Sequence, residues 1–233
     1  MAGEAAKYKV LAVTSYHPEF LWQAGIITGI TATLAETSEI KYIHLDTKRN
    51  FKGGPDKAKD AYALYQKWQP DGVIVSDDNA QTMFVIPYLR EKVNTPVMFC
   101  GISAEPEEYG YPASNVSGIL ERLHYKESIA FLQQLVPSVK TVGGLMLDNV
   151  TGKKCLKQWE RESATFPAKA VAFKLVKKTL ADVIAATEEL RPQCDALFIA
   201  NLEAILDANG TPMKAKDVGQ KIGEVFGKPM LLT

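Results

Sequence analysis

Residues that build metal and redox sites are scarce here, with three cysteines and three histidines among 233 positions. An odd number of cysteines cannot all pair internally, and no C-x-x-C spacing occurs, so cysteine usage leaves the compartment open. His17, His44 and His124 lack the spacing of metal ligands, so neither a metal nor a cofactor is expected. No apolar run approaches the roughly 20 residues needed to cross a bilayer. Lys plus Arg and Asp plus Glu each total 27, so no excess charge draws the chain to nucleic acid or anionic membrane. The G-x-G-x-x-G fingerprint, the P-loop and the G-x-S-x-G elbow are all missing, and Gly143-Gly144 stands alone. Dinucleotide, phosphate-loop and hydrolase chemistry are thereby set aside.

What is present is a repeated pattern. Lys9 to Thr14 runs into Ser15-Tyr16-His17-Pro18-Glu19, and Lys41 to Leu45 into Asp46-Thr47-Lys48-Arg49-Asn50. Gly72 to Val75 runs into Ser76-Asp77-Asp78-Asn79, and Pro96 to Phe99 into Cys100-Gly101-Ile102-Ser103. Each is an apolar β-like run ending in a polar cluster where a helix should begin. Helical periodicity follows: Phe20, Ala24, Ile27, Ile30 and Leu34 form one stripe, and Ala58, Ala61, Leu64, Tyr65 and Trp68 another. Asn79 is placed as the cap of a third helix carrying Met83, Ile86 and Leu89. Such β-α repeats predict a parallel, doubly wound sheet, whose ligands bind beyond the carboxyl ends of the strands.

The stretch from Ser103 to Ser117 reads as loop, and Val116 to Leu120 as a strand crossing into a second unit. That unit repeats the scheme with strands over Val142 to Leu147, Ala170 to Leu175 and Ala196 to Ala200. The expected architecture is α/β: two Rossmann-like lobes, 1–117 and 118–233, with a cleft between them. Met1 to Ala6 reads as a leader fused to a mature start. The end, Lys228 to Thr233, reads as a turn and a buried strand. No covering helix is recognised for that strand, so a truncated protein is expected. Apolar surface should then lie bare beside the last strand or on the first lobe, and pairing between chains would hide it.

The polar clusters supply the candidate site. Asp77, Asp78 and Asn79 either bind a ligand's ammonium, hydroxyl or amide, or cap the next helix, and residue types alone leave both open. A Mg²⁺-type acidic pocket would require a second acidic cluster at the end of strand one, which is missing. Tyr16 and His17 belong to the rim, while Trp22 serves the core or shares both roles. Cys100, Gly101 and Ile102 complete the first wall, with Glu121 near the crossing. Asp148, Asn149, Thr151, Asn201 and Glu203 form the second wall; Thr151 and Gly152 suit a carboxylate, although the same residues make an ordinary turn and cap. A two-cysteine racemase is disfavoured because Cys194 precedes its strand, and Cys155 reads as packing.

Taken together, VLAVTSYHPEFLW (10–22), DTKRN (46–50), VIVSDDNA (73–80), VMFCGI (97–102) and LDNVTG (147–152) resemble the substrate-binding proteins of ABC transporters of the tryptophan/tyrosine-binding type. The resemblance implies the type I periplasmic-binding-protein fold, with a C-terminal return to the first lobe that this sequence lacks. It further implies a non-enzymatic, exported protein, periplasmic or extracellular, that closes on a small polar or amino-acid-like molecule and serves a membrane permease. Extracellular sensor domains of signalling proteins share the plan, and an enzyme using Asp77 or Asp78 is the remaining alternative.

Overall fold

A central parallel strand, β1 (Tyr8–Thr14), sets the frame of the first unit. The computed structural model describes residues 7–203 and 205–232, so the leader reading of Met1 to Ala6 lies outside the described residues. The chain divides into two compact units after Glu121. The first contains β1, α1 (Leu21–Leu34), β2 (Ser38–His44), α2 (Gly54–Trp68), β3 (Gly72–Ser76), β4 (Val97–Ile102) and β5 (Val116–Leu120). Between β3 and β4 a single turn, α3 (Asp78–Ala80), widens into a π-helix over Gln81–Leu89. Pro87 within it has no amide proton to continue an α-helical ladder, and Arg90 N–H closes on Val85 O, five residues back.

All strands of the first sheet are parallel, in the order β2-β1-β3-β4-β5. β5, expected as a crossing segment, is the edge strand of this sheet. The buried core lies where β1, β3 and β4 meet α2 and the π-helix, around Leu11, Val75, Phe84, Leu89 and Phe99. Fully burying a side chain such as Phe84 contributes about 1.5–3 kcal/mol. Tyr109 and Tyr111, from the segment expected as loop, also enter this core, and Pro106–Tyr109 forms a short 3-10 turn.

The stripe of Phe20, Ala24, Ile27, Ile30 and Leu34 is half-buried throughout, and Gln23 is the fully buried residue of α1. Gly25, Thr28, Gly29, Thr31, Ala32 and Thr33 make up most of its exposed side.

The second unit contains α4 (Tyr125–Leu135), β6 (Thr141–Leu147), α5 (Val150–Glu162), β7 (Lys169–Val176), α6 (Leu180–Leu190), β8 (Ala196–Ile199), α7 (Ala215–Phe226) and β9 (Met230–Leu232). Its strands are also parallel, in the order β7-β6-β8-β9. The last strand does have a covering helix, which corrects the sequence reading. α7 buries Val218, Ile222 and Phe226, and its glycines let β9 approach: a β-carbon on Gly219 would stand 2.8 Å from Leu232 Cδ2. Leu231 packs into the cluster on the other face.

Candidate functional site

In the first unit, the chemistry gathers at the carboxyl ends of β1, β3 and β4. Ser15 is fully buried there; its hydroxyl donates to Ser76 O (3.1 Å) and accepts from Ala80 N–H (2.8 Å), locking the β1 end to the start of the next helix. Asp77 sits in the left-handed region at φ 72° and caps that helix, accepting from Asn79 N–H at 3.0 Å. Its other oxygen accepts from Tyr16 OH at 2.7 Å. Burial pushes the Asp77 carboxyl above the usual carboxylate range, against the opposing pull of the Tyr16 bond. The Tyr16 phenol is likewise pushed up, first by burial and then by Asp77.

Asp78 faces inward. Its carboxylate accepts from Ser103 N–H and Ala104 N–H, each at 3.1 Å, and from Tyr109 OH at 2.5 Å. It thereby orders the segment after β4. Asn79 is not the cap; it stands in the first turn, and its amide donates to Thr47 Oγ1 at 3.0 Å, tying in the β2 end. His17 Nδ1 stands 3.4 Å from Asp46, a carboxylate also held by Arg49 Nε at 2.7 Å and held down in pKa chiefly by that bond.

The open part of the rim is aromatic and acidic. Tyr16 and Trp22 meet edge to face, 5.9 Å between ring centroids and 67° between planes. Trp22 lies on Gly101, and its indole N–H donates to Glu121 Oε1 at 3.2 Å. Glu121 remains exposed to solvent, yet surrounding atoms raise its carboxyl pKa; Asp77 and Asp78 add to the shift, while the Trp22 bond lowers it. Burial raises the half-buried Cys100 thiol, with further contributions from Glu121 and Asp77. Lys48 Nζ rests 3.7 Å from the Phe20 ring centroid and 4.9 Å from that of Tyr16, so a cation already uses the outer aromatic faces.

The second unit has its own rim. Asn149 caps α5 by accepting from Gly152 N–H at 2.8 Å, and the same oxygen accepts from Asn201 Nδ2 at 2.9 Å. Gly152 has no room for a side chain, because a β-carbon would meet Leu147 O at 1.9 Å. Asp148 pairs with Lys153 at 3.2 Å.

No protein-family model and no curated protein sequence matches the chain. Solved structures do resemble it. A ligand-free, open substrate-binding protein with adhesive properties from Clostridium difficile matches with a TM-score of 0.65 at 15% identity, over 97% of this chain and 74% of that one. An ABC domain from Streptococcus pneumonia, in complex with L-Trp, gives 0.59 at 15%, over 98% and 74%. A leucine-binding protein from Thermotoga maritima gives 0.53 at 14%, over 83% and 56%. This chain has the type I periplasmic-binding fold.

Within this periplasmic-binding fold, Tyr16, Asp77, Cys100, Gly101 and Glu121 come together at one end of the first sheet. The Ile102 side chain is fully buried in the core and serves packing. In the second unit, Asn149 and Asn201 meet, whereas Thr151 and Glu203 are exposed on the first turn of α5 and the turn after β8. The sequence reading underweighted Trp22. Its signal was the glycine at 101, since a left-handed residue with no side chain, at φ 70°, leaves space for a large ring to lie against the backbone.

Proposed function

We propose that this chain is an extracytoplasmic solute-binding protein for a small, ammonium-bearing, amino-acid-like molecule, which it hands to an ABC-type permease. The observation that carries this reading is the Trp22–Glu121 pair set on Gly101, beside Tyr16 and Asp77. An ammonium placed there meets an accessible carboxylate at Glu121 beside the rings of Trp22 and Tyr16, with the buried carboxyl of Asp77 behind Tyr16. Ion pairing orients the ligand head, and the rings take its apolar body. Proteins of this fold that bind leucine, L-Trp and 4-hydroxybenzoate support a small-molecule role.

A thermal-shift screen of amino acids, amines and aromatic acids tests the proposal. A true ligand at a hundredfold excess over its Kd stabilises the protein by about 2.7 kcal/mol. Amines and amino acids should give the shift. Stabilisation only by acids that lack an ammonium, or turnover of the stabilising compound, would overturn the reading.

A further inference from the structure

Within the first unit, the rings of the candidate site form a strip with opposite charges at its two ends. Trp22 stands at one end, its indole N–H on Glu121. Tyr16 stands in the middle, its ring centroid 5.9 Å from that of Trp22 and 5.4 Å from that of Phe20. Phe20 stands at the other end, with Lys48 Nζ 3.7 Å from its centroid. Phe20 and Trp22 are two positions apart where α1 begins, and side chains at that spacing diverge rather than face each other. Tyr16 therefore lies between the acidic end and the basic end. Glu121 and Lys48 are exposed and the three rings half-buried, so the whole strip offers surface to solvent.

The backbone holds both ends in place. Glu121 N–H donates to Ile102 O at 2.8 Å, carrying the β4–β5 pairing past the end of β5. The loop that bears Lys48 is pinned on either side of it. Thr47 is buried, and its N–H and its hydroxyl each donate to Ser15 O at 2.9 Å. Arg49 Nε donates to Asp46 Oδ1 at 2.7 Å. Neighbouring charges brace the same loop: Arg49 also reaches Glu19, and Lys57 reaches Asp46, each at 3.8 Å. The loop thus delivers the Lys48 ammonium to the Tyr16 and Phe20 faces from a fixed backbone.

We propose that this strip reads a spaced zwitterion, a molecule with an ammonium at one end and a carboxylate at the other. The ammonium sits at Glu121, the apolar body lies along Trp22 and Tyr16, and the carboxylate meets Lys48. This inference rests on the ammonium reading above and narrows its ligand class. An α-amino acid carries both charges on one carbon, so it serves one end of the strip at a time. A simple amine engages the acidic end only. A zwitterion laid in reverse would set like charges together at both ends, so the strip also fixes direction.

Isothermal titration with matched probes tests the spacing. ω-Amino acids from γ-aminobutyrate to ω-aminocaprylate vary the span. Norleucine is the isomer of ε-aminocaproate with both charges on one carbon, and the alkylamines of the same lengths lack the carboxylate. The proteins compared are wild type, Lys48→Met and Lys48→Arg. On wild type, the tightest-binding ω-amino acid should exceed norleucine and its matching amine by at least about tenfold. Lys48→Met should abolish the advantage over the amine, and Lys48→Arg, which keeps a cation, should retain it. Norleucine or an amine binding as tightly as every ω-amino acid overturns the spaced-zwitterion inference and leaves the ammonium reading standing. An advantage that persists in Lys48→Met overturns it likewise. Failure of every ammonium-bearing probe to bind wild type overturns both.

Discussion

Gly101 holds the indole of Trp22 so close that a β-carbon on the glycine would stand 2.5 Å from the ring. Gly101→Ala should therefore displace Trp22 and break its bond to Glu121. The left-handed φ of 70° adds roughly 1–2 kcal/mol of backbone strain for any residue with a β-carbon. The expected result is a lower Tm together with a shifted tryptophan emission. Unchanged values of both would show that the indole is not held there.

Asp78 and Asp77 should separate in their effects. Truncation in Asp78→Ala strands the Ser103 and Ala104 amides and the Tyr109 hydroxyl, so chemical denaturation should report a loss of about 2 kcal/mol or more. Asp77→Asn keeps an acceptor for Asn79 N–H and should fold normally. If Asp78→Ala unfolds at the wild-type denaturant midpoint, the segment after β4 is ordered by something else.

Stability and pH are linked through Asp77. Its carboxyl titrates higher in the folded protein than the ordinary 3.8, because burial disfavours its charge. The folded state thus holds the proton more tightly. Its contribution is fully present below pH 3.8 and is lost as pH rises through the folded value. Relative to wild type, Asp77→Asn should gain stability across that same rise. Unfolding curves for both proteins at several pH values check the sign, and a difference that stays flat would contradict it.

Asn149 does two tasks with one oxygen. Asn149→Ala removes the cap of α5, at a cost of about 1 kcal/mol, and releases Asn201, whose φ of 54° needs local support. Asn149→Asp retains the acceptor and should cost less. Equal destabilisation by the two substitutions would rule out the capping account.

The alternation of apolar runs and polar clusters carried most of the fold, because parallel strands buried on both faces leave a plain mark in sequence. Strand β5 was read with its observed bounds. Two features were hidden for physical reasons. Asp77, not Asn79, became the cap because the chain turns left-handed at that residue, a choice made by packing around Ser15. α7 follows Gly210 and Pro212 in a region dominated by turn residues, so its strong amphipathic pattern was passed over. In the site, residue types marked the rim correctly as polar, but could not say that Asp78 points to its own chain while Glu121 faces outward beside an indole.

Isothermal titration of the best ammonium-bearing compound from the screen, against wild type and Glu121→Gln, tests the central claim most directly. Each experiment is repeated with the analogue that lacks the amine. A salt-bridged ammonium should bind wild type, lose at least about tenfold in affinity with Glu121→Gln, and lose nearly all binding without its amine, each tenfold being about 1.4 kcal/mol. Equal affinity for the two proteins, or equal binding of the deaminated analogue, would contradict an ammonium site at Trp22 and Glu121.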